Sequence, residues 1–363
     1  MNNKDYYCVI MAGGTGTRFW PLSKTRKPKQ FLDILGTGKT LLQQTYNRFA
    51  KICPPENIYI VTNEIYTGIT KEQIPELSSS QILSEPLKRN TAPCIAYSNL
   101  KIKAKNPDAK IVTAPSDHLI LDENSFAEVI KKSFEFVASS NSLLTLGIKP
   151  SRPETGYGYI QKDDKNPENF PEIFKVKSFT EKPDRKTAEM FLQSGEFLWN
   201  SGIFIWSLKS INKAFNRYLP DIAGMFSDTR VLSTPEKESA FIKEVYSECE
   251  SVSIDNGIME HADNVFVMPS DFGWSDLGTW DSLYENSKKT SDGNVINSDK
   301  ILCYDTENTI INISADKLLV VEGLKNYLIA ESDNAVLICR RDNEKRIREF
   351  VKDVEDKAGK KFI

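Results

Sequence analysis

A chain of 363 residues has the length of about two ordinary domains and can bury a core without disulfide or metal staples. Hydrophobic residues make up 40% and charged residues 27%, and a formal net charge of −3 gives no global pull toward nucleic acid or an acidic membrane. No apolar run approaches the ~18 residues of a membrane span, and the opening Met1-Asn2-Asn3-Lys4-Asp5 lacks a signal-peptide core. Cys8, Cys53, Cys94, Cys249, Cys303 and Cys339 form no C-x-x-C pair, which argues for reduced thiols and against a zinc knuckle or disulfide framework. Two histidines, His118 and His261, leave little room for a His-rich metal site or a His-driven hydrolase. The expectation is a soluble cytoplasmic globular protein.

Tyr6–Met11 reads as a buried strand, 41–52 as a helix and 58–62 as a second strand. A helix at 91–105, a strand at 111–114, a helix at 125–138 and a strand at 143–148 follow. This alternation predicts an α/β fold with a mainly parallel sheet covered on both faces. Ligand sites in such sheets lie at the carboxyl ends of the strands, so the loops after Met11 and Ala114 come first. Beyond about residue 155 the pattern shifts to strands at 157–161, 173–181 and 202–207, with helices at 186–193 and 211–218. They read as a substrate lobe added to the same sheet. After polar 287–292, short β-like runs at 301–304, 309–313, 318–321, 327–330 and 335–339 predict a small all-β appendage, of which a β-helix is one form. Apolar residues at Ile347, Phe350, Val351 and Val354 have the spacing of an amphipathic helix. The chain therefore divides as a domain at 1–288 and a small β-rich segment at 289–363 that ends in that helix.

Four groups of residues carry chemistry. Ala12-Gly13-Gly14-Thr15-Gly16-Thr17-Arg18 follows the first buried strand, where a glycine turn lets backbone amides approach phosphates. It is not a dinucleotide fingerprint, because G-x-G-x-x-G needs glycine where Phe19 stands. Nor is Gly36-Thr37-Gly38-Lys39-Thr40 a P-loop, since Asp33 occupies the first glycine position. Arg18 and the run Arg26-Lys27-Pro28-Lys29 add the cations that a polyphosphate needs. Asp117, in Ala114-Pro115-Ser116-Asp117-His118, ends a strand and is placed to hold Mg²⁺. Asp276, in Asp271-Phe272-Gly273-Trp274-Ser275-Asp276, can bring a second carboxylate from far along the chain. Gly158, Glu181 with Lys182, and Asn200 with Gly202 are together the groups of a phosphosugar pocket. Each alone is more often a cap or turn.

These blocks, with Trp20-Pro21-Leu22-Ser23 and Glu85-Pro86-Leu87-Lys88-Arg89-Asn90-Thr91, closely resemble in order the signature of the sugar-1-phosphate nucleotidyltransferases, above all members that act on mannose 1-phosphate. The resemblance covers about residues 6–285. It implies the nucleotide-diphospho-sugar transferase fold, a Rossmann-like mixed sheet, and a Mg²⁺ requirement. It also implies transfer of GMP from GTP to α-D-mannose 1-phosphate, giving GDP-mannose and pyrophosphate. On that resemblance Arg18 and Lys29 hold the triphosphate, while Asp117 and Asp276 hold Mg²⁺. Ala12, Gly13, Gly14, Gly16, Thr17, Glu85, Asn90 and Thr91 bind the nucleotide. Gly158, Glu181, Asn200 and Gly202 meet the sugar, and Lys182 its phosphate. The alternatives are thymidylyl or uridylyl transfer to another sugar 1-phosphate, or a non-catalytic nucleotide-sugar-binding regulator. Many relatives carry a cupin isomerase domain, which needs several histidines. The 78 residues after 285 contain none, so no isomerase activity is expected. The expected assembly is a homodimer, with no nucleic-acid or membrane partner.

Overall fold

The computed structural model describes residues 3–14 and 17–363, without the side chain of Thr17. Gly16 and the side chain of Thr17 thus lie outside the described residues. By its internal contacts the chain forms two compact units. One comprises Met1–Gly13, Thr45–Ser116 and Ile120–Trp274; the other comprises Gly14–Gln44, Asp117–Leu119 and Ser275–Ile363. A linear boundary after residue 288 cuts the chain differently, because the second unit gathers two N-terminal pieces with the C-terminal third.

The first unit is built on a nine-stranded mixed sheet. Its strands are β1 (Tyr6–Met11), β2 (Ile58–Asn63), β3 (Ile82–Glu85), β4 (Lys110–Pro115), β6 (Leu143–Ile148), β7 (Tyr159–Lys162), β8 (Phe174–Thr180), β9 (Phe197–Ser207) and β10 (Val265–Ser270); the two-residue β5 (Leu119–Ile120) and β11 (Trp274–Ser275) stand outside it. The order is β3-β2-β1-β4-β9-β6-β10-β8-β7. β1, β2, β3 and β4 are parallel, as are β6 and β10. The sheet is not mainly parallel throughout, because β9 enters antiparallel between β4 and β6. β1 is buried along its length except at Met11, as a central strand covered on both faces must be.

Helices α1 (Leu41–Phe49), α2 (Thr67–Gln73), α3 (Thr91–Lys105), α4 (Glu123–Ser139), α5 (Arg185–Ser194), α6 (Leu208–Tyr218), α7 (Pro220–Met225) and α8 (Pro235–Glu248) connect the strands. Ala92, Ile95 and Ala96 of α3, Ile211 and Phe215 of α6, and Ile242 and Tyr246 of α8 share one core with Val9, Tyr59 and Ile111 of the sheet. β3, α7, α8 and the extension of β9 back to Phe197 were not read from the sequence. Between Thr145 and Gly147 the register of β6 against β9 slips, so Phe204 faces Thr145 while Asn200 faces Gly147. Such a bulge re-aims side chains, and here it falls beside Asn200 and Gly202, whose φ is +68°.

In the second unit α9 (Trp280–Asn286) precedes strands β12 (Val295–Ile296), β13 (Ile301–Tyr304), β14 (Ile310–Asn312), β15 (Leu319–Glu322), β16 (Tyr327–Ser332) and β17 (Ala335–Arg340), then α10 (Ile347–Ala358). β13 lies parallel to β15, with Ile301 against Leu319, and β14 parallel to β16, with Ile310 against Leu328. Adjacent residues then face opposite ways. Ile311 and Ile329 join Ile301 and Val321, whereas Ile310 and Leu328 join Phe19, Trp20, Trp280 and Ile347. Phe350, Val351 and Val354 of α10 pack on that second cluster, and Trp20 Nε1 donates to the Phe362 carbonyl at 2.8 Å. The tail is thus tied to the segment that follows the glycine loop. Among the described residues no helix is long and apolar enough to cross a membrane.

Candidate active site

Lys29 organises the second unit's cluster. It opens the short turn Lys29–Phe31, whose three residues are all buried, and Lys29 itself is only 4% exposed. A cation so placed needs partners, because an unpaired buried charge is costly. It finds two: Nζ donates to Asp117 Oδ2 at 3.0 Å and to the Asp276 main-chain carbonyl at 2.5 Å. Burial alone would raise the Asp117 carboxyl, but the charges of Lys29 and His118, with the Lys29 hydrogen bond, outweigh it and hold it below the usual carboxylate range.

Asp276 sits in a tight turn. Its Oδ1 accepts from the Gly278 amide at 2.9 Å, and buried Leu277 adopts a left-handed φ of +44°. A Cβ at residue 278 would lie 2.6 Å from Asp276 Oδ2, so a larger residue there would displace that carboxylate. Exposed Arg18 reaches the same turn, with Nη1 3.4 Å from the Gly278 carbonyl. Phe19 packs on Trp280 at 5.1 Å, and Gln30 Nε2 holds the Gly14 carbonyl at 2.9 Å. Four residues from three distant parts of the sequence, Arg18, Lys29, Asp117 and Asp276, therefore meet. No group of three or more His, Cys, Asp or Glu side chains among the described residues forms a ready-made metal cage. The carboxylates of Asp117 and Asp276 are chemically compatible with Mg²⁺, which usually takes one or two carboxylates and completes its shell with substrate phosphates and water.

The first unit holds two further clusters. At the end of β3, buried Glu85 accepts from the Tyr246 hydroxyl at 2.9 Å, and burial pushes its carboxyl up to about 7 against that hydrogen bond. A Cβ at Gly13 would lie 3.5 Å from Glu85 Oε2. Ala12 is fixed by its amide to the Val61 carbonyl at 2.7 Å, and its carbonyl accepts from the Thr62 hydroxyl at 2.9 Å. Past Glu85 the chain is clamped. Arg89 donates to the carbonyls of Tyr246 and Ser247, Asn90 at φ +68° caps α3 through the Thr91 amide, and the Thr91 hydroxyl accepts from the Ile254 amide.

The other cluster gathers Gly158, Glu181, Lys182, Asn200 and Gly202. The Asn200 amide donates to the Gly158 carbonyl at 2.8 Å, and Asn200 Oδ1 accepts from the Gly202 amide at 3.1 Å and the Thr145 hydroxyl at 3.2 Å. A Cβ at Gly158 would stand 2.5 Å from Glu181 Oε2, so Glu181 lies directly over that glycine. Lys182, with a left-handed φ of +46°, pairs with Glu181. Tyr157 meets Trp199 and Trp274 edge-on, each at 5.2 Å, as an aromatic wall.

Sequence reasoning missed Asp255. Its Oδ1 accepts from Asn200 Nδ2 at 2.8 Å, which fixes the orientation of the amide. Burial first, then the Glu181 charge, pushes its carboxyl up to about 6. It begins a single π-helical turn, Asp255–Met259, a feature frequent at functional sites. In sequence, Asp255-Asn256-Gly257 reads only as a turn.

The nucleotidyl transferase family model matches residues 7–293. A mannose-1-phosphate guanylyltransferase of Escherichia coli is 36% identical over 361 residues, covering 97% of this chain and 76% of that protein. A solved structure from Thermus thermophilus, described as a mannose-1-phosphate geranyltransferase, is 29% identical with a TM-score of 0.85, covering 97% of this chain and 99% of the other. One from Helicobacter pylori described as a mannose-6-phosphate isomerase is 25% identical with a TM-score of 0.60, covering 75% of this chain and 99% of the other. A match over most of its length and close similarity to curated members place the chain in the nucleotidyl transferase family, alongside the mannose-1-phosphate guanylyltransferases.

Proposed function

We propose that the protein transfers GMP from GTP to α-D-mannose 1-phosphate, giving GDP-mannose and pyrophosphate. The observation that carries this reading is Lys29, a buried ammonium shared between the Asp117 carboxylate and the Asp276 turn, with Arg18 at the same turn. Such a group suits a reaction that crowds negative charge and needs no proton removed. The attacking oxygen of a sugar phosphate is already anionic, so positioning and charge neutralisation supply the catalysis. Lys29 and Arg18 neutralise the triphosphate and the departing pyrophosphate. Asp117 and Asp276 hold Mg²⁺, which when bound polarises phosphoryl oxygens and offsets their charge. Gly13, Gly14, Gly16 and Thr17 belong to the phosphate loop, with Ala12 as its anchor on the sheet. Glu85, Asn90 and Thr91 face the guanosine. Gly158, Glu181, Asn200 and Gly202 bind the mannose with Asp255 behind Asn200, and Lys182 meets its phosphate. The parallel pairing of β13 with β15 and β14 with β16, both offset by 18 residues, supports reading the C-terminal strands as a β-helical coil.

The direct test is pyrophosphate release with mannose 1-phosphate, Mg²⁺ and GTP, ATP, UTP or dTTP in turn. GTP is expected to exceed the rest. Faster release with another nucleotide would discard the guanosine assignment, and silence with all four, and again with glucose 1-phosphate, would favour a binding protein.

Gly158→Ala tests the sugar cluster. The new methyl displaces Glu181, and losing one charge-assisted hydrogen bond to the sugar should raise the KM for mannose 1-phosphate by about 10–100-fold. The GTP KM should stay near wild type. An unchanged mannose 1-phosphate KM would remove Glu181 from the sugar site.

A further inference from the structure

We propose that Tyr246 is a positioning residue for base selection: its hydroxyl holds the Glu85 carboxylate in the pose that accepts the paired N1–H and N2–H₂ donors of guanine. The inference rests on the reading that residues 85–91 face the guanosine. Glu85 ends β3 at the carboxyl edge of the sheet, and its Oε1 accepts from the Tyr246 hydroxyl while Oε2 is the atom nearest a Cβ at Gly13. One oxygen is therefore pinned from behind by α8, and the other is turned toward the loop that follows β1.

Chemistry chooses the base. A carboxylate only accepts hydrogen bonds, so it matches an edge with two adjacent donors. Guanine has that edge, whereas adenine sets a donor beside an acceptor. The Tyr246 side chain cannot drift. It is fully buried, packs edge-on against Phe226 at 6.2 Å, and sits within the last turn of α8. The same stretch of chain braces the rest of the block. The Tyr246 and Ser247 carbonyls accept from Arg89, the Val252 carbonyl accepts from the Ala92 amide, and the Ile254 amide donates to the Thr91 hydroxyl. The end of α8 and the segment behind it thus form a template against which residues 85–92 are set.

Protonation of Glu85 would turn an acceptor into a donor, so discrimination must weaken as pH falls through the titration of this carboxyl, near 7 in the free protein. The titratable groups that face it are Tyr246 and Cys249 from α8 and its end, and Cys94 and Tyr97 from α3. The Tyr246 hydrogen bond favours the ionised form. Tyr246→Phe, which removes that bond, should therefore move the midpoint of discrimination to higher pH.

The experiment compares kcat/KM for GTP and inosine triphosphate, which lacks the N2 amino group, from pH 5.5 to 9. Wild type should prefer GTP by about 10–100-fold, the range for one hydrogen bond to a charged acceptor. Tyr246→Phe should shrink the ratio about 5–10-fold, a part of that range, and raise its pH midpoint. A 3-fluorotyrosine at 246, which keeps the shape and strengthens the donor, should lower the midpoint and serves if the Phe variant does not fold. Equal losses with both nucleotides, or an unmoved midpoint in the fluorinated protein, would overturn the positioning role. A wild-type ratio near one, with GTP still turned over, would instead remove Glu85 as the base reader.

Discussion

Asp276→Asn is expected to lower the rate of pyrophosphate release by about 10²–10³ at saturating GTP and mannose 1-phosphate, the range found when one preorganised group that neutralises developing charge is removed. Asparagine keeps the shape of the side chain. Its amide oxygen can still accept from the Gly278 amide, so the turn that supports Leu277 and Arg18 survives. What is lost is the unit of negative charge that the proposed function assigns to Mg²⁺, so the Mg²⁺ concentration for half-maximal rate should rise along with the fall in turnover. Asp117→Asn should produce a similar loss by a second route as well, because it also removes the charged partner of buried Lys29. Steady-state assays at several Mg²⁺ concentrations measure both effects. A near-normal rate in either variant would sink the assignment of that aspartate.

Lys29→Met should be the most damaging cation change, lowering turnover by about 10²–10³ and stability by about 1–3 kcal/mol. Methionine fills much of the same volume but leaves the Asp117 carboxylate and the Asp276 carbonyl without their shared donor. The Asp117 carboxyl should also return toward higher pKa, since the Lys29 ammonium is the largest influence that lowers it. The sign is definite. A carboxyl held low in the folded protein adds stability above its unfolded pKa, and that stability fades as pH falls through the folded value. The stability gap between wild type and Lys29→Met should therefore be fully present near neutral pH and narrow in acid. Denaturant titrations at about pH 7 and about pH 3.5 would measure it. Arg18→Met should cost turnover without a comparable loss of stability, because Arg18 is exposed and its contact with the turn is long. Similar stability losses in both variants would contradict the central place given to Lys29.

The different reach of sequence and structure follows from the distances over which interactions act. The strand Tyr6–Met11, helix Thr91–Lys105 and the amphipathic tail were legible because a buried strand shows as a short continuous apolar run, a core helix as a longer stretch of small and apolar residues, and a half-exposed helix as an apolar period. Arg18, Lys29, Asp117, Asp276, Glu181 and Asn200 stood out as candidates because their short blocks, taken in order, resemble the family's motifs. Helix Pro235–Glu248 was not, since its buried residues Ile242, Val245 and Tyr246 are few within a charged stretch. The insertion of Phe197–Ser207 between Lys110–Pro115 and Leu143–Ile148 was equally hidden, because pairing order is a choice among distant partners.

The amino-acid sequence by itself determined the chemistry present: a glycine loop, a set of cations, and separated carboxylates that suit phosphoryl transfer without histidine. Tertiary structure alone decided which of these meet. Lys29 meets Asp117 and the Asp276 turn across 88 and 247 residues of chain, and Tyr246 meets Glu85 across 161. Asp255 became visible only through its bond to Asn200. The physical reason is common to all three. Desolvation makes a buried charge or amide seek a partner, and that partner is set by how the whole chain packs, which no local pattern records.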